Sequence, residues 1–211
     1  MLGLLLCVRS SALAQPSSGP SQGPSAEEVQ AILNARAASI PGSGIVAAVN
    51  DRGRFTTYIA GTSGTSRPLD AHTLFEIGSV TKTFTATALA SMVLANTVKP
   101  SDPVSRYLPS AVHVPSRKGR AITLLTLATQ HSGLPRLPTN MVDTDGADPY
   151  ARYTVAALYK FLDGYKLTRD PGVVYQYSNL GFGLLGLALT HALTRHRTRR
   201  WCRPTSGSLC R

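Results

Sequence analysis

The sequence predicts a protein of the mixed α/β (α+β) class, mostly helical, with one antiparallel hairpin near its start. Three observations predict it. Residues 44–49 and 55–60 are runs rich in β-branched and aromatic side chains, and they flank Asn50-Asp51-Arg52-Gly53, a turn composition. Ser25-Ala26-Glu27-Glu28 has the form of a capping box, in which the serine accepts from first-turn amides and the glutamate reaches back. Later segments beginning near Ile77, Thr123, Thr154 and Asn179 are apolar, free of internal proline and long enough for helices.

Taken in order, residues 1–14 read as a signal peptide: a short apolar stretch, then Ala12-Leu13-Ala14, the small-x-small pattern that a signal peptidase accepts. This leads us to expect a periplasmic or secreted protein. Residues 15–24, rich in Pro, Ser and Gly, read as a flexible leader. The capping box starts a helix that runs to about Ala38, and the hairpin follows. From Ile77 to about Asn96 a run of Ala, Leu and Thr with a single glycine predicts a long, largely buried helix, with Ser79 in its first turn. After the proline-punctuated stretch 100–109, helices are expected at 123–129 and 154–162, with the loop Ser132-Gly133-Leu134-Pro135 between them. Pro171-Gly172 turns the chain toward a last apolar helix over 179–193. These elements make 25–190 one domain.

The last 21 residues change character. They hold six arginines and no acid, so six of the eleven excess positive charges belong to this stretch and the other five to the body. A body charge of that size does not argue for a nucleic-acid partner. Residues 191–211 read as a disordered basic tail or the product of a shifted reading frame. No apolar run approaches the roughly 20 residues of a membrane-spanning helix. The three cysteines stand at 7, 202 and 210, outside the domain, which removes cysteine as its nucleophile. His72, His113, His191 and His196 have no ligand-like spacing, and Asp143, Asp145 and Asp148 lack the later glutamate of a calcium loop, so no metal or other cofactor is expected.

The chemistry lies in two short elements. In Ser79-Val80-Thr81-Lys82 a hydroxyl and an amine sit at i and i+3, on one face of a helix start. A serine is a weak nucleophile until a neighbouring base takes its proton, and a desolvated lysine can do so. Amides at the helix N-terminus favour the anion formed on attack. Ser-x-x-Lys alone recurs by accident, so its context must decide. Tyr177-Ser178-Asn179, far along the chain, adds a phenol that can relay a proton and an amide that can orient the lysine and hold a substrate carbonyl. His131 is read as structural.

Four stretches carry a family resemblance: FEIGSVTKTFTA (75–86), DPVSRYLP (102–109), ITLLTLATQHSGLPRLP (122–138) and PGVVYQYSNLGFGLLG (171–186). The sequence resembles the penicillin-recognising serine enzymes, in particular class C β-lactamases, D-alanyl-D-alanine carboxypeptidases and the esterases that share their Y-x-N motif. The resemblance implies part of the serine β-lactamase/transpeptidase-like fold, its mostly helical domain plus the first hairpin of its antiparallel sheet. It also implies Ser79 as acylated nucleophile, Lys82 and Tyr177 as proton-transfer partners, and Asn179 as a substrate contact. The substrate it implies is a small molecule: a β-lactam, a peptidoglycan stem peptide or an ester. The family's third motif, Lys or His then Thr, Ser or Gly then Gly, is missing after Asn179. We therefore expect a C-terminally truncated chain, short of one oxyanion-hole donor worth ~10² to 10³ in rate. The alternative expectation is a non-catalytic remnant that binds such ligands, or is acylated by them, without turnover.

Overall fold

The fold was obtained as a computed structural model that describes residues 23–141 and 150–201. The expectations for residues 1–14, for most of the leader, for Asp143, Asp145 and Asp148 and for residues 202–211 lie outside the described residues. The chain divides into two compact units, up to Glu76 and from Ile77 onward.

The first unit is helix α1 (Ala26–Ala38) and a two-stranded antiparallel sheet of β1 (Gly44–Asp51) and β2 (Arg54–Gly61). α1 begins where the sequence places it, because Ser25 and Glu28 bond reciprocally at 3.2 and 2.7 Å. The hairpin register runs from Gly44 opposite Gly61 to Asp51 opposite Arg54. Its two-residue turn places Arg52 and Gly53 at φ 49° and 91°, the doubly positive form that suits the right-handed twist of paired strands. Asn50 Oδ1 accepts from the Gly53 amide at 2.9 Å and closes the turn. Gly61 stands at φ 82°, where an added Cβ would lie 2.1 Å from the Ser43 carbonyl oxygen, so only glycine fits. α1 holds to β2 through Gln30 Nε2, which donates to the Ile59 carbonyl at 2.9 Å.

The second unit is helical. A 3-10 turn (Gly78–Val80) leads into α2 (Thr81–Leu94), followed by a second 3-10 turn (Val104–Tyr107) and a minimal ribbon of β3 (Ser116–Arg117) and β4 (Arg120–Ala121). Helices α3 (Leu124–Ala128), α4 (Val155–Gly164) and α5 (Asn179–Trp201) complete it. Val104, Ile122, Leu124, Leu127, Leu162, Leu184 and Leu185 are fully buried and form the centre of its core. α3 and α4 begin on Thr123 and Thr154, whose hydroxyls accept from the amides of Thr126 and Ala157.

Two expectations are corrected here. The helix expected to carry Ser79 is not largely buried: in α2 only Leu89 and Met92 are buried, with Val93 half-buried against the core, while Phe84 and Leu94 are exposed. Its Ala/Leu/Thr run is apolar on all sides, but a single i, i+3 stripe finds a partner within this unit. The last helix does not stop near Leu193. α5 continues to Trp201 although the apolar pattern ends, so 191–201 is helical and not a disordered tail. His191 and Arg195, one turn apart, supply the reason. His191 Nδ1 lies 2.9 Å from the Tyr107 carbonyl, and Arg195 donates to the carbonyls of Arg106 and Leu108 at 2.7 and 3.3 Å. Among the described residues no helix is long and apolar enough to cross a membrane.

Asp102 ties the loop after α2 to this core. Its carboxylate accepts from the Tyr107 hydroxyl at 2.5 Å, the Lys99 amide at 2.8 Å and the Arg106 guanidinium at 3.5 Å. Burial pushes its pKa up, but these donors outweigh it and hold the carboxyl below the ordinary 3.8. Burial, with Asp102 beside it, pushes the Tyr107 phenol up to about 12. Replacing Asp102 with Ala orphans these donors, at about 1–3 kcal/mol for each one left buried, a loss readable in denaturant unfolding. Because the pKa is depressed, the contribution of Asp102 is complete above the ordinary carboxylate range. It should vanish only as the pH falls through the lowered value.

Candidate active site

The 3-10 turn, α2 and the turn before α5 bring the two motif elements together. Gly78, at φ 51°, swings the chain into the 3-10 turn, so Ser79 lies just ahead of α2 and not within it. Lys82, in the first turn of α2, donates from Nζ to Ser79 Oγ at 3.2 Å and to Asn179 Oδ1 at 2.8 Å. The Tyr177 hydroxyl donates to the same Ser79 oxygen at 2.6 Å. All four residues singled out in the sequence therefore meet in one hydrogen-bonded cluster. Ser79 is exposed, and the other three are half-buried.

Ser178, between Tyr177 and Asn179, anchors the second element. It is completely buried, and its hydroxyl donates to the Pro135 carbonyl at 2.6 Å while accepting from the Gly181 amide at 2.8 Å. It caps α5 and fixes the directions in which Tyr177 and Asn179 leave the turn. Gln130 receives the Ser178 amide on Oε1 at 2.7 Å, and the Arg136 carbonyl accepts from the Asn179 and Leu180 amides. The loop 130–136 is thus a saddle for the turn. Gly133 stands there at φ 78°, where a Cβ would lie 2.8 Å from the Arg169 carbonyl. His131 packs edge-on against Tyr175, with Nδ1 2.6 Å from the Thr129 carbonyl, as a structural residue of that loop.

Sequence reasoning did not single out three neighbours. Arg136 holds its guanidinium carbon 5.2 Å from the centre of the Tyr177 ring, and Lys82 Nζ lies 4.8 Å from the same centre. Tyr150 accepts from Asn179 Nδ2 at 3.0 Å. Ser178 is the third, and a serine three residues before the Gly181 amide was a signal that could have found it. Arg136 and Tyr150 gave none, since nothing local aims them at the site. The Tyr177 phenol is held below its ordinary range, first by hydrogen bonding to Lys82, then by Ser79, with the charges of Lys82 and Arg136 adding. Among the described residues no group of three or more His, Cys, Asp or Glu could hold a metal ion.

Comparison with known proteins decides the family. The beta-lactamase family model matches residues 29–203. The chain belongs to the beta-lactamase family. This beta-lactamase-family chain is 39% identical over 119 residues to the D-alanyl-D-alanine-carboxypeptidase/endopeptidase AmpH of Escherichia coli (strain K12), covering 55% of itself and 30% of that protein. It is 34% identical over 148 residues to a beta-lactamase of Pseudomonas fluorescens, covering 70% of itself and 38% of that protein. The crystal structure of a beta-lactamase/D-alanine carboxypeptidase from Yersinia pestis complexed with citrate superposes with a TM-score of 0.65 at 28% identity. That match covers 82% of this chain and 53% of the other. The mixed helical and antiparallel architecture is therefore part of the beta-lactamase/transpeptidase-like fold, in a chain that spans about a third of these curated relatives' length.

The order of causes on Tyr177 gives a test. Cations and donors stabilise its phenolate, so removing them must raise its titration midpoint. Lys82→Ala should raise it more than Arg136→Gln, and ¹³C NMR of the Tyr177 ring carbon bearing the hydroxyl reads both shifts.

Proposed function

We propose that the chain is a serine acyl-transfer protein of the β-lactamase/DD-peptidase type, in which Ser79 forms an acyl-enzyme with a β-lactam, a D-Ala-D-Ala peptide or a small ester. The observation that carries this reading is the convergence of Lys82 Nζ and Tyr177 Oη on one exposed oxygen, Ser79 Oγ, at 3.2 and 2.6 Å. That geometry suits a nucleophile with its base within hydrogen-bond reach. Ser79 Oγ attacks the acyl carbon while its proton passes to the Lys82–Tyr177 pair. The lowered pKa of Tyr177 favours the phenolate as the receiving group. The same group returns the proton to the departing nitrogen or oxygen, leaving the acyl group on Ser79. Asn179 holds Lys82 in place through its Oδ1 and contacts the substrate. The names of the relatives, D-alanyl-D-alanine-carboxypeptidase/endopeptidase and beta-lactamase, support the peptide and β-lactam parts of this range. Residues 1–14 support export as a secreted or periplasmic protein.

A second reading is acylation of Ser79 without turnover. The two readings share the acylation step and part at hydrolysis.

Intact-mass analysis after exposure to a fluorescent penicillin or a fluorophosphonate should show one adduct that Ser79→Ala abolishes. An adduct surviving that substitution removes Ser79 from the role. Release of the adduct with time supports turnover, and its persistence supports the second reading. Lys82→Ala and Tyr177→Phe should each slow acylation by roughly 10² to 10⁴. Because both act on one proton, the double variant should lose far less than the product of the two losses.

A further inference from the structure

Helices α2 and α5 start at the cluster of Ser79, Lys82 and Asn179, and further along both of them a second opening lies between the loop after α2 and the later turns of α5. Its walls hold Asn96, Thr97 and Lys99 from that loop, Asp102 and Arg106 from the stretch that follows, and Arg195 from α5. At 1.5 Å per residue, the 14 residues of α2 put roughly 20 Å of helix between Ser79 and this opening. It is a different place from the candidate active site.

The acceptors around it are already taken. Past the end of α2 the amides of Ala95, Asn96 and Thr97 donate to the carbonyls of Ser91, Val93 and Met92 at 3.0, 2.9 and 2.9 Å, which caps the negative end of that helix. The carbonyls of Arg106 and Leu108 receive Arg195, and the Tyr107 carbonyl faces His191. Asp102, the one carboxylate in the described wall, accepts from the Tyr107 hydroxyl, the Lys99 amide and the Arg106 guanidinium.

The donors are not taken. Among the described residues no hydrogen bond is made by Lys99 Nζ or by the side chains of Asn96 and Thr97. Arg195 commits one N–H from each terminal nitrogen and keeps the other three of its five, while Arg106 reaches Asp102 only at 3.5 Å. Three cations against one carboxylate leave two positive charges in excess. The chain beyond Arg195 cannot neutralise them, because residues 196–211 contain five arginines and no Asp or Glu. An occupant must therefore be an acceptor and an anion.

We propose that this opening is a binding site for a phosphate group, free or carried on a larger molecule. A phosphate dianion balances the excess of two charges, where a carboxylate balances only half of it. Its several oxygens can accept together from the two guanidinium groups, the Lys99 ammonium and the neutral donors of Asn96 and Thr97. The site does not depend on the acylation of Ser79.

The test is the broadening of the ³¹P NMR line of inorganic phosphate by the full chain at fixed ionic strength. Lys99→Gln, which keeps the backbone amide that Asp102 accepts, and Arg106→Gln should each weaken phosphate binding about fivefold. Lys166→Gln removes an exposed cation outside the opening and Lys82→Ala removes the one beside Ser79, and both should leave the binding unchanged. Co-sedimentation with phosphatidylcholine vesicles, with and without phosphatidic acid, distinguishes the sources. Binding that requires phosphatidic acid and weakens in Lys99→Gln assigns the site to a lipid headgroup, and phosphate binding without vesicle binding assigns it to a soluble phosphate. No broadening by the unaltered chain, equal weakening in Lys166→Gln, or a loss confined to Lys82→Ala overturns the proposal.

Discussion

The hydrogen bond from Lys82 Nζ to Asn179 Oδ1, 2.8 Å long, joins the start of α2 to the start of α5 across 97 positions of chain. Local geometry can bring Ser79 and Lys82 near each other, because residues three apart at a helix start share a face. It cannot keep a flexible lysine pointed at one oxygen. The Asn179 carbonyl does that, and it is itself held by the buried Ser178 cap and by two amide bonds to the Arg136 carbonyl. The rigidity of the loop 130–136 is thus passed to the Ser79–Lys82 pair through one amide side chain. A site assembled from two helix starts in this way keeps its reactive oxygen exposed while its supports stay buried.

Charge is arranged around the same bond. Lys82 and Arg136 approach the Tyr177 ring, while each described carboxylate of this unit is engaged elsewhere: Asp102 with Tyr107 and Arg106, Asp163 with the His113 amide, Asp170 with Arg117 and Lys118. Two cations without a nearby described carboxylate favour the anionic form of whatever lies between them. In this site that group is the Tyr177 phenol, whose pKa is lowered first by hydrogen bonding to Lys82 and Ser79, with the two charges adding.

What the sequence makes legible is local, and what it hides is long-range. The capping box at Ser25–Glu28, the hairpin turn at Arg52-Gly53 and the pairing of Ser79 with Lys82 depend on neighbours within four residues, and each can be read from composition and spacing. Tyr177 and Asn179 are legible through the order of the motifs. Arg136 and Tyr150 are not, because their roles arise only when separate segments fold onto the start of α5. The true length of α5 is hidden for the same reason. His191 and Arg195 look like the beginning of a solvated basic tract until the carbonyls of residues 106–108 are seen beside them. The exposed faces of α2 are hidden too, since an Ala-rich apolar run carries no information on which of its sides finds a partner.

We propose that Lys82 acts on Ser79 only as positioned by Asn179, and a double-mutant cycle on these two residues tests this. The measured quantity is the rate of Ser79 acylation by a fluorophosphonate in the unaltered chain, Lys82→Ala, Asn179→Ala and the double variant. Once Lys82 is gone, removing Asn179 should cost little more, so the double variant should be about as slow as Lys82→Ala alone. A double variant slowed by the full product of the two single losses would contradict it.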